Sequence, residues 1–326
     1  MPELTLDPAG VLYRVATTRG HAGQLYQYAA LLGRLKPILD DWIPVHRVGA
    51  WMRLCEEIGW VCVPDVVFTR PLIDSPLDGR DRLCTTIASG EVWQPGLVSP
   101  EGSELHVFCG WSIDSAEAAH RVGWYPLIVN DRVVDRAWVD VASLGHLLGY
   151  PSCCVRAFEE CNDWRTRSSY ELALDQTASR PHRFANPFAR HTPWSWIFHT
   201  PCRFDCEATI RYASAVRESM QSTEPSYAES IDVFQRDHVF LVFNENRVYA
   251  LRGSLLNRRR ARYTEVMFLG GIPSEDLYGS ILEAGTEVLV ERDAVHVYSE
   301  DDWRCVIEAR LCGPRPEHAM LLVFSS

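Results

Sequence analysis

Leu105–Val129 reads LHVFCGWSIDSAEAAHRVGWYPLIV, and this stretch decides the fold class. Leu105 to Phe108 has the apolar, β-branched character of a strand. Asp114 to Val122 is a short helix with Ser112 or Asp114 placed to cap it. Trp124 to Val129 is strand-like again. A parallel pair joined by a helix is the simplest geometry for such a run. The pattern therefore predicts an α/β protein of the α+β kind.

Upstream, Val11 to Thr17 reads as a strand and His21 to Trp42 as a helix interrupted at Pro37. Val45 to Ile58 is a second helix, with Val48, Trp51, Met52 and Cys55 at helical spacing. Val61 to Phe68 is a strand. Residues 70–103 are rich in proline and glycine and read as loop. Downstream, 139–222 is helical. His238 to Phe243 with Arg247 to Leu251, and Glu287 to Glu291 with Val295 to Tyr298, read as hairpins. Ala319 to Phe324 would close a sheet. The expected organisation is an α/β domain over 1–138, a helical cysteine-bearing segment over 139–225 and a mainly antiparallel β domain over 226–326.

The 326 residues include 32 Lys and Arg against 43 Asp and Glu, a formal charge of −11. That balance disfavours broad binding to nucleic acid, which needs a positive field. No apolar run is long enough to span a bilayer, and the first residues lack signal-peptide character. The expectation is a cytoplasmic protein with no membrane partner. Eleven cysteines are many for a reducing compartment. They must divide between buried apolar thiols and cysteines with chemistry.

Two segments carry the chemistry. In the first, Gly149 is placed to end a helix, Tyr150-Pro151 is extended, and Ser152 can cap a new helix with Cys153 and Cys154 in its first turn. In the second, Pro201 breaks what precedes it, Cys202 lies in the loop, and Asp205 can cap a helix that starts with Cys206. Helix starts stabilise thiolates. Four thiolates at two such junctions suit a tetrahedral zinc site or a four-cysteine iron–sulfur cluster. Adjacent side chains on a helix diverge by about 100°, which ranks a 4Fe-4S cluster, with iron corners about 3 Å apart, above zinc. Cys161 is a weak further candidate. Cys55, Cys62, Cys84, Cys109, Cys305 and Cys312 lie in apolar or strand-like runs and read as structural.

The Gly149-Tyr150-Pro151-x-Cys153-Cys154-Val155-x-x-Phe158 run and the downstream His199-x-Pro201-Cys202-x-x-x-Cys206 resemble a motif pair of a poorly characterised prokaryotic family. The resemblance covers residues 147–214. It implies one site formed by Cys153, Cys154, Cys202 and Cys206, and no particular reaction.

Around these cysteines, His199 is a candidate acid or base and Glu207 a candidate general base, with His191 and His182 weaker. Arg203 and Arg211 are candidates for an anionic substrate, and Trp196 for a pocket wall. Asn257 to Arg262 is the basic run, either an anion clamp or a solvated face. No GxxxxGK[ST], GxGxxG, HExxH, GxSxG or CxxxCxxC is present. The expected function is an iron–sulfur transferase or lyase in the biosynthesis of a small metabolite, served by an electron or sulfur donor protein. Two alternatives stand beside it. One is a metal-free enzyme with Cys154 or Cys206 as nucleophile and His199 as base. The other is a zinc-stapled binding module that meets an acidic partner through its basic run.

Overall fold

The computed structural model describes residues 6–69, 85–89, 104–124, 127–129, 132–135, 138–161, 169–244, 247–270, 276–291, 294–299, 302–308, 311–312, 315–316 and 319–325. The loop expected over 70–103 lies largely outside them. The architecture is mixed α/β with antiparallel sheets. The chain divides into two compact units, residues 7–155 and residues 156–326.

The first unit opens with α1 (Val11–Arg19), where the sequence suggested a strand. Val11, Val15 and Thr17 are β-branched, which gave that impression. Burial of Leu12, Val15 and Arg19 along one helical face decides otherwise, and Gly20, at φ 87°, ends the helix. The long helix expected next is only α2 (Leu25–Leu32); past Pro37 the chain becomes β1 (Ile38–Pro44), which contains Trp42. α3 (Val48–Ile58), β2 (Val61–Thr69), β3 (Thr85–Ser89), β4 (Glu104–Gly110) and α4 (Ile113–Val122) follow.

The first sheet has the order β1-β4-β2-β3, and every pair in it is antiparallel. Among the described residues the parallel unit expected around α4 does not form. After α4 the chain enters β5 (Gly123–Trp124), which pairs antiparallel with β8 (Trp138–Val139), while β6 (Leu127–Val129) pairs with β7 (Arg132–Asp135). β4 is buried at nearly every position, the habit of a parallel central strand; it is an interior strand flanked by β1 and β2, and α4 packs against it. α5 (Val141–Leu147) is capped by Asp140, whose carboxylate accepts from the Ser143 N–H at 3.0 Å and the Ser143 hydroxyl at 2.7 Å. It leads to α6 (Ser152–Glu160), within which the division between the units falls.

The second unit carries α7 (Ser169–Gln176), α8 (Glu207–Thr223) and α9 (Pro225–Asp237). The last of these extends the helical region beyond Ser222, with Pro225 at a first-turn position that needs no N–H. Then come β9 (His238–Val242), β10 (Val248–Asn257), β11 (Arg260–Phe268), α10 (Gly279–Glu283), β12 (Glu287–Val290), β13 (Ala294–Ser299), β14 (Asp302–Glu308), the short pair β15 (Leu311–Cys312) and β16 (Arg315–Pro316), and β17 (Met320–Leu322). The seven-stranded sheet runs β14-β13-β12-β11-β10-β9-β17. Both expected hairpins form, β9 with β10 and β12 with β13, and the last strand joins β9. Leu241, Tyr249, Leu251, Leu282, Val288 and Val297 form the centre of its core.

Candidate metal centre

The first cysteine pair owes its position to the end of α5. The Tyr150 N–H donates to the Gly145 carbonyl at 3.0 Å and the Gly149 N–H to the His146 carbonyl at 3.0 Å. With Gly149 at φ 76°, this is the glycine-ended helix closure that the Gly-Tyr-Pro sequence suggests. The Pro151 carbonyl then accepts from the Cys154 N–H at 2.8 Å and the Val155 N–H at 3.0 Å, so the new helix starts at once. Ser152 is its first residue and not a side-chain cap, and its hydroxyl lies 3.3 Å from His146 Nε2.

The second pair sits at the start of α8. Cys206 is itself the capping residue, and its carbonyl accepts from the Ile210 N–H at 2.9 Å. Asp205 does not cap this helix. Its carboxylate accepts from the Ala178 N–H at 3.2 Å, the Ser179 N–H at 2.9 Å and the Ser179 hydroxyl at 2.9 Å. Burial works to raise its pKa, but the Ser179 hydrogen bonds and the Arg203 charge outweigh it and hold it below the usual carboxylate range.

The sulfur atoms of Cys153, Cys154, Cys202 and Cys206 all lie within 4.8 Å of one another. Cys154 and Cys206 are buried, Cys202 is half-buried and Cys153 is exposed. The adjacent pair does not diverge as an ideal helix would suggest: Cys153 Sγ and Cys154 Sγ are 3.9 Å apart. Cys161, just past the end of α6, is not part of this group. A set of four thiols with no other donor fits a thiophilic metal ion, and the four cysteines can hold one.

The other candidate residues have the following surroundings. His199 is 7% exposed, with Nε2 hydrogen-bonded to Thr209 Oγ1 at 3.0 Å and its ring against Tyr212. Glu207 and Arg211 form a solvent-facing pair on α8, 3.6 Å apart. Arg203 pairs with Asp205 at 3.3 Å. Trp196 is core, its indole N–H donating to Asp232 at 3.2 Å. Burial, helped by Arg190, pushes the His191 imidazole down to about 4. His182 Nδ1 accepts the Phe184 N–H at 3.1 Å. In the basic run, Arg260 and Arg262 both pair with Glu287, which is buried, while Arg258 and Arg259 stay exposed at the turn between β10 and β11.

Sequence reasoning passed over a second group. Cys55, Cys62 and Cys109 bring their sulfur atoms within 4.8 Å of one another. They come from α3, β2 and β4: strand pairing sets Cys62 opposite Cys109, and the packing of α3 against β2 brings Cys55 to them. No local spacing signals that. Cys84 lies outside the described residues.

The chain was compared with protein-family models, curated proteins and solved structures, and none of them matches. No described helix is long and apolar enough to cross a membrane.

Proposed function

We propose that this is a zinc protein in which Cys153, Cys154, Cys202 and Cys206 hold one tetrahedral ion that staples two loop-to-helix junctions. The mutual separation of the four sulfur atoms, none beyond 4.8 Å, carries this reading. A zinc–sulfur bond of about 2.3 Å puts tetrahedral thiolates about 3.8 Å apart. A 4Fe-4S cube, with each thiolate bonded outward from its own iron, needs them about 6 Å apart. The sulfurs would have to spread to admit the cube; a single ion draws them in slightly.

Four thiolates close the coordination of zinc, so the ion contributes folding energy and offers no open position to a substrate. The negative charge of the complex is offset by the starts of α6 and α8, whose first N–H groups have no helical partner. The burial of His199 against Thr209 and Tyr212, and the solvent-facing Glu207, agree with a structural role for the centre.

Metal content, acid-labile sulfide and a visible spectrum on anaerobically purified protein test the reading. The expected result is colourless protein containing zinc, with one equivalent lost in Cys202→Ser and in Cys154→Ser. Brown protein with iron and sulfide in equal amounts would overturn it. The iron–sulfur enzyme, with its small-molecule substrate and its electron or sulfur donor, would then stand in its place. Metal-free protein inactivated by alkylation of a single thiol would point instead to a cysteine nucleophile.

A further inference from the structure

The three cysteines of the first unit have a geometry that packing alone does not require. Cys109 is fully buried in β4, Cys55 is 2% exposed on α3, and Cys62 on β2 is half-buried. Cys109 donates to Cys62 across the sheet, sulfur to sulfur at 3.3 Å. The three sulfur atoms all lie within 4.8 Å of one another.

We propose that Cys55, Cys62 and Cys109 form a second metal site, specific for a soft monovalent ion of the Cu(I) class. Three sulfurs and no nitrogen or oxygen donor in the group select a soft ion. Among the described residues no fourth His, Cys, Asp or Glu joins the group, whereas closed zinc sites take four ligands. Trigonal coordination by three thiolates suits Cu(I). Binding is ligand exchange. Each sulfur–metal bond replaces an S–H bond, the protons go to solvent, and no electron moves. Cys62, the half-buried member, gives the ion its entry.

A simple disulfide between Cys62 and Cys109 is the competing chemistry, since the two residues are directly opposed in the sheet. It leaves Cys55 without a part to play, although its sulfur lies within 4.8 Å of both of theirs.

The site shares no ligand with the four-cysteine centre, so the two can fail separately. The test uses the full-length, reduced protein with its zinc content measured beforehand. Cu(I) is added anaerobically as its acetonitrile complex against a competing Cu(I) chelator. The readouts are bound copper, retained zinc, the ultraviolet thiolate-to-copper absorption and the number of sulfur neighbours by X-ray absorption. One copper held by three sulfurs, with zinc unchanged, is expected. Cys55→Ala and Cys62→Ser should lose that copper while keeping their zinc. If Cys109→Ala fails to fold, Cys62→Ser and Cys55→Ala still decide the matter. Copper uptake unchanged in Cys62→Ser, copper taken up only as zinc leaves, or no uptake by a reduced protein that reoxidises to a Cys62–Cys109 disulfide would each overturn the proposal.

Discussion

His106, fully buried in β4, faces carboxylates on two sides. Its Nδ1 lies 2.9 Å from Asp65 and its Nε2 3.8 Å from Asp40, and the other oxygen of Asp65 is 3.3 Å from His120. The ring also packs against Trp42 and Phe108. Burial pulls the imidazole pKa down, but hydrogen bonds and charge from Asp40 and Asp65 win and raise it. For Asp40 and Asp65 burial works upward, and the partner imidazoles (with Lys36 for Asp40) more than reverse it. The two signs bound a window. The histidine contribution is complete below its unfolded pKa of about 6.5 and fades as pH rises through the higher folded value; the carboxylate contribution is present above about 4 and fades in acid. His191 has its pKa lowered and titrates with the opposite sign, so the informative quantity is the difference between wild type and a variant. His106→Gln should cost about 3 kcal/mol near pH 6, because it leaves buried carboxylates without their cation. Its penalty should shrink as pH rises towards 8. Urea midpoints at several pH values measure this, and a penalty independent of pH would show that His106 is held neutral.

At the scale of elements, the turn from α5 into α6 is the most exacting piece. A Cβ on Gly149 would lie 2.9 Å from Lys36 Cβ and 3.1 Å from Lys36 Cα, at a φ of 76°. Gly149→Ala should therefore cost about 2–4 kcal/mol, combining left-handed strain with overlap against backbone. It should also loosen metal retention against a chelator, since α6 carries Cys153 and Cys154. Gly59 is the control: its φ is 82° but open space surrounds it, so Gly59→Ala should cost only about 1 kcal/mol. Thermal melts of the two variants, with and without chelator, check both statements. The contrast with other elements shows what sequence can convey. The Gly149 closure, the helix starts at Cys153 and Cys206, and the two hairpins were legible because their signals lie within a few residues. Asp205 has a cap's position, yet its carboxylate is claimed by Ser179, distant in sequence. The antiparallel setting of β4 and the gathering of Cys55, Cys62 and Cys109 were not legible, because both depend on which strands become neighbours. The face buried by α1 likewise overrode its β-branched composition.

At the scale of the whole chain, an ion held by the four cysteines would close a loop. Cys154 and Cys202 are separated by 47 residues, and tying them through one ion removes conformational freedom from the unfolded chain. A covalent link across such a loop is worth about 4 kcal/mol on the chain-entropy model. An ion bound to the folded form alone acts in the same direction, by an amount set by its affinity and free concentration. At an unfolding entropy of about 2.1 cal/mol/K per residue, about 4 kcal/mol in a chain of 326 residues corresponds to a fall in melting temperature of roughly 6 °C. Incubation with a strong zinc chelator under reducing conditions should produce that fall in wild type and recover on adding zinc. Cys202→Ser should melt near the chelated wild type and respond little to chelator. Cys62→Ser, altered only in the three-cysteine group, should keep the full chelator response, since its staple is intact. A wild-type melting temperature indifferent to chelation, in protein shown to have lost its zinc, would mean that the thiols hold the two junctions together through apolar packing alone. The centre's role would then have to be sought in chemistry and not in folding.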